Sequence, residues 1–223
     1  MKVSMPHALL TMGVSVVMLF IGLTLALMIM TIYLSRIIIE GFPTIDFIIS
    51  SFIPLGPCGQ GAYSFLIAGQ NFQDAALGGG VLGSSSAGEV INLICLTAAF
   101  FVWCIGIWWL VMALVAIAHV RLKGHQIPFK LTFWGLVFPN AVQAIGTIQL
   151  SIALDARFFR VLGAIYGAVV IALWVVLAIP TMKQVLDGSI FHAPYLEDDL
   201  KEMAGVGIDG SSNGTMNGEA KRM

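Results

Sequence analysis

The sequence predicts an all-α membrane protein with five transmembrane helices. Three observations carry that prediction. Apolar residues make up 58% of the 223-residue chain and charged residues only 10%. Five apolar runs reach the roughly 20 residues that cross a bilayer. No Asp, Glu, Lys or Arg falls deep within any of these runs. A soluble domain carries about a quarter charged residues, so most of this chain has no water to face. A formal net charge of −1 leaves no basic footprint, and nucleic acid is not an expected partner.

The first run covers about residues 8–34. It follows MKVSMPHALL, which has the look of a secretory signal, but the run is far longer than a signal's apolar core and no small-x-small cleavage site follows it. It reads as a spanning helix. The second run, about 43–69, contains FIPLGPCGQGAYSF, residues 52–65, where Pro54, Pro57, Gly56, Gly59 and Gly61 interrupt the apolar pattern. Each proline removes a backbone donor and frees a carbonyl, and glycines let another backbone or an ion approach closely. Irregular backbone at membrane depth is tolerated only where protein or a water-lined cavity covers it. The segment is therefore either a kink packed in a bundle or a bend facing a pore. Its polar neighbours Ser50, Ser51, Gln60 and Ser64 favour the bend.

The third run, about 90–120, exceeds what a 30 Å core needs at about 1.5 Å per residue, so it must tilt or project. Trp103, Trp108 and Trp109 read as anchors or packing residues. In the fourth run, about 131–154, Asn140, Gln143, Thr147 and Ser151 recur at spacings of 3, 4 and 4, one face of a helix. Such groups either hydrogen-bond a neighbouring helix or line a passage, where an uncharged polar wall suits a partly dehydrated anion. Trp134, Phe138 and Gln149 fall about half a turn away, with Pro139 expected to kink the helix. The fifth run, about 158–182, holds GAIYG, whose Gly163 and Gly167 have the GxxxG spacing of close helix packing.

Residues 70–89 are rich in Gly and Ser and lack Lys and Arg, whereas 121–130 carries Arg121, Lys123 and Lys130. The positive-inside rule places 121–130 in the cytoplasm and 70–89 outside, which makes the C-terminus cytoplasmic. Composition then separates a transmembrane domain, 1–186, from a disordered cytoplasmic tail, 187–223. The tail's sequon at Asn213 stays unmodified in this topology.

Intramembrane ionisable residues mark proton relays and charged binding sites. Their lack here argues against a proton-coupled carrier, a haem protein, an intramembrane protease or any enzyme. Cys58, Cys95 and Cys104 lie inside apolar runs without a CxxC or Cys/His cluster, and His7, His119, His125 and His192 are scattered. Neither a metal nor a cofactor is implied.

Two segments carry a family resemblance. PLGPCGQGAYSF, residues 54–65, resembles the P-I/L-G-P-x-G-Q-G segment of fungal sulfite efflux pumps, and FWGLVFPNAVQAIGTIQLS, residues 133–151, is similar to the W-x-x-x-F-P segment of their wider family. That family is the tellurite-resistance/dicarboxylate transporters, with the malate permeases of yeasts and the slow-type anion channels of plants. IFHAPYLEDD in the tail also looks like the ending of the sulfite pumps. The resemblance extends to about residue 200.

The resemblance implies ten helices in five hairpins, odd-numbered helices lining a central pore, and a phenylalanine in the ninth occluding it. The five spans are then equivalent to helices six to ten, and helices one to five have no counterpart. Phe138 matches the gate, with Phe133 as fallback. Ser50, Ser51, Gly56, Gly59, Gln60, Ser64, Asn140, Gln143 and Thr147 are the pore-lining candidates, and Gly163 and Gly167 the packing pair. The implied activity is efflux of sulfite, or another small anion, across the plasma membrane. Malate or dicarboxylate permeation is the alternative. A reading of another class is a non-transporting fragment or an interaction module that assembles with a full-length transporter. The implied partners are the anion, the lipid bilayer, and a missing N-terminal half or further copies of the chain.

Overall fold

The computed structural model describes residues 5–79, 85–124 and 129–188, and apart from short turns they are helical. Helix α1 spans Met5–Glu40. It stops at Gly41, whose φ of 85° is the left-handed cap geometry, and the Gly41 N–H bonds the Ile37 carbonyl at 3.0 Å. A 3₁₀ segment, Ile45–Phe52, leads into α2, Leu55–Gly79. Helix α3 covers Ser85–Leu122. A second 3₁₀ segment, Leu131–Leu136, runs into α4, Val137–Ala153, and α5 covers Arg157–Leu186.

Among the described residues, four stretches are long and apolar enough to cross a membrane: Leu9–Glu40, Ser86–Leu122, Leu131–Ala153 and Arg157–Leu186. Helix α2 has the length, but its glycines and amides make it less apolar than the others. Its position explains how that composition is tolerated. It packs most extensively against α3, then α4 and α1, so protein rather than solvent or lipid covers most of its circumference. A helix covered in this way does not need an apolar surface all round.

The prolines do something other than kink a span. Pro54 immediately precedes α2 and Pro57 lies in its first turn, where backbone N–H groups have no intrahelical acceptor in any case. The bend falls at the Ile53–Pro54 junction, and LGPCGQGAYSF is regular helix. Pro139 likewise sits in the first turn of α4, just after the change from 3₁₀ to α.

Helix α2 also runs ten residues beyond the expected end at Gly69, into the segment that reads as a loop. The amides there are held by neighbouring helices: Asn92 Nδ2 donates to Gln73 Oε1 at 2.6 Å, and Gln149 Nε2 to Gln70 Oε1 at 3.3 Å.

The core gathers around α2 and α3, with Ile48, Leu55, Cys58, Ala62, Leu66, Trp103, Trp109 and Leu150 buried. Small residues set the closest crossing. A Cβ on Gly59 would lie 2.5 Å from the Gln143 backbone nitrogen, so α2 and α4 meet backbone to backbone. Gly163 packs on Ile148, whereas Gly167 has no neighbour within 4 Å of a Cβ position. The expected GxxxG pair therefore divides into one packing glycine and one open one. Contacts separate Met1–Ala178 from a second unit beginning at Ile179. The site and both grooves discussed below lie within the first unit. The expected tail lies outside the described residues from 189 onward.

Candidate functional site

A groove of about 540 Å³ runs between α1 and α2. Its α2 wall is a stripe of Gln60, Ser64, Ile67 and Asn71, positions i, i+4, i+7 and i+11 on one helix face. None of the three polar side chains in that stripe has a hydrogen-bond partner among the described residues. On the α1 side, the Ser15 hydroxyl donates to the Thr11 carbonyl at 2.8 Å and that of Thr11 to the His7 carbonyl at 2.9 Å. Both hydroxyl oxygens therefore offer acceptors. Among the described residues, no Asp, Glu, Lys, Arg or His lines the groove. The walls are mostly apolar and uncharged, with two amides and a hydroxyl on α2 able to donate.

Phe138 stands where the stripe meets the start of α2. A Cβ built on Gly56 would lie 3.9 Å from the Phe138 ring, so only the missing side chain of Gly56 separates α2's backbone from the ring. Phe138 itself is 64% exposed on the outer face of α4, together with Ile145 and Ile152. From Gly56 to Asn71 the stripe rises about 22 Å.

The opposite face of α4 is turned into protein. Gln143 and Thr147 are fully buried. The Trp103 indole N–H donates to Thr147 Oγ1 at 2.8 Å, and Thr147 Oγ1 donates to the Gln143 carbonyl at 2.8 Å. Gln143 Nε2 completes the circuit by donating to the Trp103 carbonyl at 3.3 Å. A Cβ on Gly106 would fall 2.5 Å from Gln143 Oε1, so the amide packs into the space left by that glycine on α3. Asn140 Nδ2 donates to the Leu136 carbonyl at 2.7 Å, and the Tyr166 hydroxyl donates to Asn140 Oδ1 at 2.8 Å. Of the two readings of this polar face, the structure displays hydrogen bonding between helices.

The expected site residues thus fall into two groups. Gln60 and Ser64 line the groove, and Gly56, one turn before Gln60 on α2, faces the Phe138 ring. Asn140, Gln143 and Thr147 lie in the helix interface, and Gly59 is buried beneath α4. Ser51 is buried and accepts a 3.3 Å hydrogen bond from Tyr33, pinning the first 3₁₀ segment to α1. The Ser50 hydroxyl bonds the Phe47 carbonyl at 2.6 Å. Phe133 is half-buried on the second 3₁₀ segment, its ring 5.6 Å from that of Phe129. Sequence reasoning missed Asn71, Thr11 and Ser15. The signal for Asn71 was its position seven residues after Ser64, obscured by ending the helix at Gly69.

Residues 1–182 match the voltage-dependent anion channel (SLAC1) family. The chain belongs to that family. Among curated proteins it is similar to the sulfite efflux pump of Arthroderma benhamiae, 27% identical over 186 residues, or 83% of this chain and 48% of that protein. The corresponding pump of Arthroderma otae is 29% identical over 169 residues, covering 76% and 44%. That of Candida albicans is 25% identical over 183 residues, covering 75% and 38%. This family member spans about half the length of the curated relatives it matches. No solved structure matches it.

For a member of an anion channel family, the chemistry of the groove is apt. Amide and hydroxyl donors can replace part of an anion's hydration shell without the tight hold of a fixed positive charge. The buried circuit of Trp103, Gln143 and Thr147 ties α4 to α3, with Gln143 Oε1 buried and without a partner among the described residues.

Proposed function

We propose that this chain forms part of the wall of a membrane anion pathway whose activity is sulfite efflux across the plasma membrane. The observation that carries the reading is the stripe of unpartnered neutral donors on α2 that ends beside the exposed ring of Phe138. An anion moving along it exchanges water for the Gln60, Ser64 and Asn71 donors in turn. It is stopped where the Phe138 ring closes over Gly56, unless the ring rotates into the space its exposure leaves open. Phe133 takes that role if the register differs. Asn140, Gln143 and Thr147 contribute by holding the helix that carries the gate.

In this reading α2, with the segment leading into it, is a fifth span, and the spans are helices six to ten of a ten-helix arrangement with α2 and α4 as the seventh and ninth. Arg121, Lys123 and Lys130 set the cytoplasmic face, where the C-terminus also lies. The rest of the wall comes from an N-terminal half or from further copies of the chain. Three observations support this: the relatives are sulfite pumps, the chain spans half their length, and Phe138 is exposed.

Sulfite-sensitive cells test the reading, with anion efflux measured from the chain alone and from the chain coexpressed with the N-terminal half of a sulfite pump. Sulfite efflux only on coexpression supports a half-pathway, and efflux from the chain alone supports an oligomeric pore. Malate transport without sulfite efflux would reject sulfite in favour of a dicarboxylate permease. No anion flux in either arm, with the protein folded in the membrane, leaves the non-transporting interaction module.

A further inference from the structure

A second groove, of about 490 Å³, lies between α3 and α5, with no α1 residue among its described lining. Leu110, Leu114 and Ile117 form one wall and Ile165, Val169 and Leu173 the other. Its two polar lining side chains, Asn140 and Tyr166, are bonded to each other at 2.8 Å. An anion or a polar metabolite would find no free donor on these walls.

Its length and its end identify the occupant. The α3 wall runs from Ile107 to Ile117 and the α5 wall from Leu162 to Leu173, each rising about 15 Å. That is half of a hydrocarbon core about 30 Å thick, the depth of one leaflet. On α3 the apolar stripe of Leu110, Leu114 and Ile117 continues at i+11 with Arg121, exposed one turn beyond the groove in the last turn of the helix. An apolar slot about one leaflet deep, with an exposed guanidinium one helical turn beyond its end, is complementary to an acyl chain joined to a phosphate. Guanidinium binds phosphate in a bidentate fork.

We propose that the α3–α5 groove is a phospholipid site that takes one acyl chain of an anionic phospholipid, with Arg121 on its phosphate. The site is separate from the α1–α2 groove. The Tyr166–Asn140 bond forms its floor, two residues from Phe138 along α4, so a bound chain packs against the helix that carries the ring.

The test uses the full chain, reconstituted in vesicles of equal parts dioleoyl phosphatidylglycerol and dioleoyl phosphatidylcholine, extracted in mild detergent and weighed by native mass spectrometry. The unaltered chain should retain phosphatidylglycerol preferentially. Arg121→Gln, at an exposed position, should lower that preference about fivefold, the loss expected for one basic residue at an anionic surface, while phosphatidylcholine is still retained. Val169→Trp should fill the groove and expel both lipids, with circular dichroism reporting that the helices persist. Unchanged retention in Arg121→Gln overturns the site, and needs no groove substitution to fold. Efficient disulfide crosslinking of two chains through Val169→Cys would also overturn it, by showing that a second copy covers the groove.

Discussion

Gly59→Ala tests the close crossing of α2 and α4 on which the position of Phe138 depends. In an open helix this substitution stabilises, because glycine costs about 0.5–1 kcal/mol relative to alanine. At residue 59 the added methyl would lie 2.5 Å from the Gln143 nitrogen and 2.6 Å from the Val142 carbonyl carbon. Both are backbone atoms of α4, so no side chain can swing aside. The helices must part by about 1 Å to restore ordinary contact, and overpacking of this kind costs roughly 1–3 kcal/mol. The net effect is a loss of about 1–2 kcal/mol after the propensity gain, near 2–8 °C in melting temperature for a chain of this length.

Gly167→Ala is the matched control, since nothing lies within 4 Å of its Cβ position, and it should leave the melting temperature unchanged or raise it. The assay is thermal unfolding in detergent followed by circular dichroism, with both variants purified alongside the unaltered chain. If Gly59→Ala melts at or above Gly167→Ala, the backbone-to-backbone crossing is wrong and the placement of Phe138 against Gly56 falls with it.

Three further outcomes are expected. Phe138→Ala should raise anion leak severalfold in flux measurements on the assembled pathway, and an increase with Phe133→Ala alone would move the gate to that residue. Gln60→Ala and Asn71→Leu should each lower anion flux about fivefold, near 1 kcal/mol for one lost hydrogen bond, without moving the melting temperature. Thr147→Val, by contrast, leaves the buried Trp103 indole N–H without its acceptor. It should cost about 1–3 kcal/mol of stability, read as a lower melting temperature and an altered tryptophan emission.

The all-helical membrane character was legible in the sequence because it is a sum over local terms. Uncharged runs near 20 residues long leave the backbone no satisfied state in lipid other than helix, whatever packs around them. The small-residue character of GPCGQG and the Phe-Pro pair were equally visible, and the family match rests on such local pattern. The far end of α2 was not legible. Gln70, Gln73 and Asp74 read as a water-facing loop, yet the two glutamines bond Gln149 and Asn92, partners 79 and 19 residues away. Only chain folding brings those amides together.

The tertiary structure alone decided which polar stripe is bonded and which has no partner among the described residues. Gln60, Ser64 and Asn71 on α2 look no different in sequence from Asn140, Gln143 and Thr147 on α4, since a neutral side chain is satisfied as well by a neighbouring helix as by water. Packing separates them. Trp103 and Tyr166 donate to Thr147 and Asn140 on the α4 face and the Gln143 amide donates to the Trp103 carbonyl, while α2 turns its stripe toward a groove whose α1 hydroxyls donate to their own backbone. It also decided what the prolines do. Pro54 and Pro57 begin α2 instead of bending it, because a proline placed where the N–H has no acceptor removes nothing.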